Sequence, residues 1–362
     1  MSWRGVRRLL CVRLDALGDV LMTTPALRAF RESLPACRIT LLASPAGAAA
    51  ARFVPEVDDV MLFGAPWMKT PARGPEEDFR LIEQLRERRF DAAAIFTVYS
   101  QNPLPAAYLC HLAGIPRRLA HCRENPYHLL TDWVPDPEPE KLVRHEVRRQ
   151  LALAAAVGCT ALDERLSFRV PVRARQAVAR LRLPKPYVVV HPGASAPSRR
   201  YPAEGFARAM DLLAAETGYE IVFTGESGER PLVELIRRAM FAETRSLAGR
   251  LELGELGALI EGAALLVSNN TGPAHLAAAL GTPVVDLYAL TNPQRTPWQV
   301  PCRVLYHDVP CRNCYKSVCP HGHNDCLRRV EPERVASAAR ALLLEEEGKA
   351  AVGADKRVSA PC

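Results

Sequence analysis

Apolar and polar positions along this chain fall into two successive series, each alternating a short apolar block with a longer amphipathic stretch. Residues 8–14 form an apolar block of strand length. Residues 18–33 follow with apolar positions at Val20, Leu21, Pro25, Leu27 and Phe30, the spacing of one helix face. Blocks at 38–43, 60–63 and 92–96 predict further strands, and 76–89 predicts an amphipathic helix. The series restarts after residue 186, with strands expected at 187–191, 220–224, 265–268 and 284–287. Helices are expected at 203–216, 231–240, 256–261 and 273–280. Strand and helix in alternation predict an α/β chain whose parallel sheets are covered by helices on both faces.

At 362 residues the chain exceeds what one hydrophobic core commonly serves. The expected organisation is an N-terminal domain at 1–170, a linker at 171–186 containing Pro171, Pro184 and Pro186, and a C-terminal domain at 187–330. A helix at 331–347 and a tail at 348–362, expected to be disordered, complete it. Two doubly wound domains of this kind set the carboxyl ends of their strands toward a cleft. Composition agrees, since 48% hydrophobic and 24% charged residues are ordinary for a soluble enzyme. A net charge of +7 suits an anionic ligand or an anionic membrane surface. With 6% aromatic residues and arginines scattered rather than interleaved with rings, nucleic acid is not the expected partner. No apolar run reaches about 18 residues, and Arg13, Asp15 and Asp19 interrupt the N-terminal one, so the protein is expected to be cytoplasmic.

Chemistry concentrates where strands end. After the strand at 187–191 comes His191-Pro-Gly-Ala-Ser-Ala-Pro-Ser-Arg-Arg-Tyr-Pro202. Gly193, Ala194 and Ser195 let backbone N–H groups approach a phosphate, and Arg199 supplies charge and a fork of donors. The same residues read equally as a βα connection with exposed arginines. Asn270, Thr271, Gly272 and His275 open a helix after the strand at 265–268, which makes an anion site at its N-terminus, or else a simple N-cap with a packed core histidine. Thr224-Gly225-Glu226 ends a third strand, and Glu226 or Glu229 could accept sugar or ribose hydroxyls, Glu226 being preferred. Asp286 is a further candidate. In the N-terminal half Arg13, Asp15, Gly18 and Asp19 occupy the first βα loop. Asp19 there could take the proton of an acceptor hydroxyl, or cap the helix that follows.

Three motifs in order, Leu17-Gly-Asp-Val-Leu-Met-Thr-Thr-Pro-Ala-Leu27, His191-Pro-Gly-Ala with Arg-Arg-Tyr-Pro, and Asn270-Thr-Gly-Pro-Ala-His-Leu-Ala-Ala-Ala-Leu-Gly-Thr-Pro283, resemble glycosyltransferase family 9, the lipopolysaccharide heptosyltransferases. The resemblance implies a GT-B fold of two Rossmann-like domains. It implies inverting transfer of a sugar from a nucleotide-diphosphate donor, ADP-heptose being favoured, to a lipopolysaccharide-core or related anionic glycolipid, with peripheral contact at the inner membrane and no catalytic metal. By the same resemblance Asp19 matches the general base, and Arg199 sits where the family commonly has a lysine facing the diphosphate. Asn270 stands where many members have an aspartate. A GT-B nucleotide-sugar epimerase and a non-catalytic nucleotide-sugar-binding protein are the competing readings.

Eleven cysteines without a secretory signal are expected to be mostly thiols. Cys311, Cys314, Cys319 and Cys326, spaced x2, x4 and x6 within the Cys-rich segment 302–326, could close a structural zinc or iron site, or remain free. Some relatives carry an iron-binding cysteine cluster, which the resemblance brings to this segment as an expectation.

Overall fold

The computed structural model describes residues 3–69 and 74–358, with side chains described to 349. It divides into two compact units, Met1–Arg169 and Val170–Cys362. Unit 1 carries strands β1 (Arg8–Arg13), β2 (Arg38–Ala43), β3 (Asp59–Leu62), β4 (Ala92–Ile95), β5 (Arg117–Cys122) and β6 (Asp132–Pro135). Unit 2 carries β7 (Tyr187–His191), β8 (Glu220–Phe223), β9 (Thr244–Ser246), β10 (Leu265–Asn269), β11 (Val284–Leu287) and β12 (Cys302–Leu305). The sheets run β3-β2-β1-β4-β5-β6 and β12-β11-β10-β7-β8-β9, parallel throughout. Each is therefore a doubly wound sheet whose strand order reverses beside its first strand, β1 in one and β7 in the other. In such folds the crevice at that point receives the ligand.

The central strands are apolar because helices cover both faces: β1 is buried after Arg8, and β4, β7, β10 and β11 are buried throughout. Leu10, Val12, Ala93 and Ile95 pack with Leu81, Leu85 and Leu109 of the helices Glu76–Arg88 and Leu104–Leu112. In unit 2, Val188, Val190, Val267 and Val285 meet Phe206, Met210 and Leu213 of the helix Ala203–Thr217, and Val335, Ala339 and Leu342 of the last helix.

Most expected elements stand within a few residues of their predicted bounds. Residues 171–186 differ, because they carry the helix Val172–Arg180, which Arg175 ties to Glu261 at 2.6 Å. Pro171 sits at its N-cap, where a missing N–H removes nothing from the helix. The last helix, expected to end at residue 347, continues to Val358. The Ala- and Lys-bearing sequence after Glu347 holds no proline before Pro361, so nothing there forbids helical backbone. Residues 359–362 of the expected tail lie outside the described residues. Among the described residues no helix is long and apolar enough to cross a membrane.

Candidate active site

In unit 1 the candidate side chains gather where β1 ends. Arg13, fully buried, is the last residue of the strand, and the helix Leu17–Ser33 begins four residues later. Its guanidinium meets three carboxylates: Asp15 at 3.0 Å, Asp19 at 3.2 Å and the fully buried Glu146 at 3.0 Å. Burial works against the Arg13 charge, but Asp15, Glu146 and Asp19 together raise its pKa. Asp19 has a second contact, accepting the Ala16 N–H at 3.3 Å, so one residue both closes the first turn of the helix and presents a carboxylate. Gly18 is buried in that turn. Asp15 accepts from Gln101, and burial raises its pKa against the pull of Arg13. Beside Asp15 lies a cavity of about 250 Å³ lined by Leu14, Trp67, Met68, Phe96 and Gln101 among others. Periodicity gave no sign of Glu146, Gln101 or Trp67. They arrive from a later helix and from loops, and only folding sets them against residues 13–19.

In unit 2 the loop after β7 is held from three sides. Asn269, buried at the end of β10, donates to Pro192 O at 2.7 Å and accepts the Tyr201 N–H at 3.0 Å. Arg200 donates to Ala194 O at 2.8 Å, which folds the loop over itself. Ser198 donates to Lys316 O at 2.8 Å and its N–H to Ser317 O at 3.1 Å, which fastens the loop to the Cys-rich segment. Gly193 and Ala194 are buried and Ser195 is exposed. A Cβ at Gly193 would stand 1.9 Å from the Glu229 carboxylate, so a side chain there would force the end of Glu229 aside. Burial pulls His191 down to about 4, leaving a neutral ring that pairs with Thr224 at 3.1 Å.

Arg199 joins the two glycine-bearing loops, donating to Asn270 O at 3.4 Å. Asn270 is itself fixed, its side chain donating to Ala289 O and its N–H to Leu287 O. Thr271 is the N-cap of the helix Gly272–Leu280 in extended backbone, and its hydroxyl makes no capping bond. The helix therefore presents its N-terminal N–H groups and its positive dipole end beside the Arg199 charge, an arrangement suited to a diphosphate. His275 is buried in the same helix. At the third strand end Thr224 is buried and Gly225 accepts the Gly249 N–H. Glu226 is exposed, whereas Glu229 folds back, accepting the Glu226 N–H at 2.8 Å and lying against Gly193.

Cys311, Cys314, Cys319 and Cys326 are half-buried thiols within the segment that Ser198 contacts. Burial works against the Cys319 thiolate, yet the backbone N–H groups of Asn324, His321, Gly322 and His323 together draw Cys319 below the usual thiol range. Burial, then Cys319, Cys311 and Cys314, push Cys326 up to about 11. Among the described residues no three His, Cys, Asp or Glu side chains converge in a metal-binding arrangement.

A model of glycosyltransferase family 9 (heptosyltransferase) matches residues 79–324. Lipopolysaccharide heptosyltransferase 2 of Escherichia coli K12 is 28% identical over 350 residues, which cover 91% of this chain and 97% of that protein. The solved structure of E. coli ADP-heptose LPS heptosyltransferase II aligns with a TM-score of 0.74 at 27% identity, over 94% of this chain and 99% of the other. A family 9 glycosyltransferase from Veillonella parvula DSM 2008 shares the fold with a TM-score of 0.76 at 23% identity, over 95% and 98% of the two chains. With two doubly wound Rossmann-like units and these motifs in place, the chain belongs to glycosyltransferase family 9, the heptosyltransferases, and is a glycosyltransferase of GT-B fold.

Proposed function

We propose that this enzyme transfers heptose from ADP-heptose, with inversion, to a lipopolysaccharide-core or related anionic glycolipid. The observation that carries the donor reading is the Arg199–Asn270 contact, which brings a guanidinium and a helix N-terminus together next to the loop that Asn269 fastens at Pro192. In the reaction Asp19 takes the proton of the acceptor hydroxyl as its oxygen attacks the anomeric carbon, and the bond from that carbon to the diphosphate breaks. The negative charge released on ADP is met by Arg199 and the N–H groups of the helix Gly272–Leu280, groups oriented before the reaction begins. Arg13 holds the Asp19 carboxylate in direction. Gly193, Ala194, Ser195, Thr224, Gly225, Glu226, Thr271 and His275 complete the donor side in this reading, and Asp15 and Gly18 the acceptor side.

A relative whose name carries ADP-heptose supports the donor, and the relatives' lipopolysaccharide names support the acceptor class. The net charge of +7 suits an anionic acceptor and peripheral contact with the cytoplasmic face of the inner membrane. Asp19→Asn is expected to lower turnover by about 10²–10⁴-fold while ADP-heptose still binds. Turnover within threefold of wild type would rule out Asp19 as the base. The reading includes a structural zinc or iron on Cys311, Cys314, Cys319 and Cys326, supported by their x2, x4 and x6 spacing and by an iron-containing heptosyltransferase among the structures of similar fold, and it requires the four side chains to draw closer together than they stand here. Elemental analysis of purified protein is expected to show about one equivalent of metal. Its absence would remove that assignment.

A further inference from the structure

The donor site has a titratable neighbour that the reaction above does not use. Asp286 lies at the carboxyl end of β11, opposite Ser268 of β10 and 1% exposed, and neither carboxyl oxygen has a hydrogen-bond partner among the described residues. An unpaired carboxylate at such depth is strongly disfavoured unless a cation compensates it. The charge that acts on it is that of Arg199. Alternation along β11 turns Asp286 to the face opposite Val285 and Leu287, which pack with Val335, Ala339 and Leu342 of the last helix. Other titratable groups on adjoining segments are Tyr288, one residue past the strand, and Cys302 on β12, both raised first by burial and then by Asp286 and both lowered in part by an arginine, Arg295 and Arg303 respectively, and His275 in the helix Gly272–Leu280. Asn270, which Arg199 touches, is neutral.

We propose that Asp286 is a positioning residue for the donor's diphosphate, acting through Arg199. Protonated, it leaves the guanidinium charge to the loops at 193–195 and 270–272. Ionised, it draws that charge inward and away from the ligand. Burial pushes Asp286 up to about 8 against the pull of Arg199, so the change falls just above neutral pH. A bound diphosphate adds negative charge at Arg199 and favours the protonated form further, so donor binding and proton retention at Asp286 reinforce each other.

The inference rests on the reading that Arg199 meets the diphosphate, and the test separates the two. ADP-heptose binding to the full chain is followed by calorimetry from pH 6.5 to 9.5, a range in which its diphosphate has no ionisable group. Wild type is expected to lose about tenfold in affinity between pH 7 and pH 9, one decade per unit once the carboxyl ionises. Asp286→Asn is expected to bind with no such decline, and Asp286→Ala serves as the second variant if the amide does not fold. Arg199→Ala is expected to weaken binding at every pH and to flatten the profile. If Arg199→Ala weakens binding while folded Asp286→Asn and Asp286→Ala keep the wild-type decline, the role of Asp286 is overturned and the diphosphate reading stands. If Arg199→Ala binds like wild type, both fall.

Discussion

Replacing Arg13 by methionine should do more harm at high pH than at low pH, and that asymmetry is the sharpest test of how unit 1 is built. The guanidinium is fully buried; its Nη2 meets both Asp19 and the equally buried Glu146, and its Nε meets Asp15. Methionine fills similar volume but leaves three carboxylates gathered at one point without the cation that holds them. Removing one partner of a buried ion pair typically costs about 3–5 kcal/mol. For a unit of 169 residues that corresponds to a fall in melting temperature of roughly 6–20 °C. The sign of the pH dependence follows from the same geometry. Without Arg13 the carboxyl pKa values in the folded state rise above their unfolded values, so stability is retained at low pH and lost as pH rises through the raised values. Tryptophan fluorescence reports on this unit, because Trp3 is buried against Phe30 and Trp67 and Trp133 lie in the same half of the chain. Thermal melts of Arg13→Met and wild type at pH 5 and pH 8 make the comparison, with Arg13→Lys expected between them. A deficit below about 1 kcal/mol at pH 8, the range of an exposed pair, would refute the reasoning, as would a deficit that grows on acidification.

Three further outcomes are expected. Gly193→Ala should weaken ADP-heptose binding about tenfold or more, a loss of at least about 1.4 kcal/mol, because its Cβ displaces the Glu229 carboxylate; adding Glu229→Ala should restore part of the loss in the same titration. His121 and His191 are both pulled down to about 4, chiefly by burial, so each is neutral in the native state. Stability is then complete above about pH 6.5 and falls toward pH 4, by about 2–4 kcal/mol for each ring; His191→Gln should reduce the slope of melting temperature against pH in that window. Asn269→Ala should loosen the loop after β7, since it removes the bonds to Pro192 and Tyr201; a drop in melting temperature of several degrees together with weaker ADP-heptose binding is expected.

Much of this protein was determined by the order of its residues alone. Parallel strands buried on both faces must be apolar along their length, so β1, β7, β10 and β11 stand out as blocks, and helix faces repeat at 3.6 residues. Glycine followed by arginine at 193–199, and glycine at a helix start at 270–275, made both loops visible as candidate phosphate sites before any fold was known. Local pattern was weakest where a strand is short or charged: β5 reads Arg-Arg-Leu-Ala-His-Cys, and β9 and β12 span three and four residues. Tertiary structure alone decided the partnerships. Glu146 is a surface-type residue in its own helix and becomes a buried ligand of Arg13 only when that helix packs on the first. Glu229 rather than Glu226 reaches Gly193 because the turn after β8 folds back on itself. Asp286 differs from its apolar neighbours in β11 by a carboxyl group whose surroundings are set by Arg199, 87 positions earlier, and by Cys302, one strand away. Periodicity is a property of neighbours along the chain, whereas the electrostatics of a buried group depend on what is brought against it from afar.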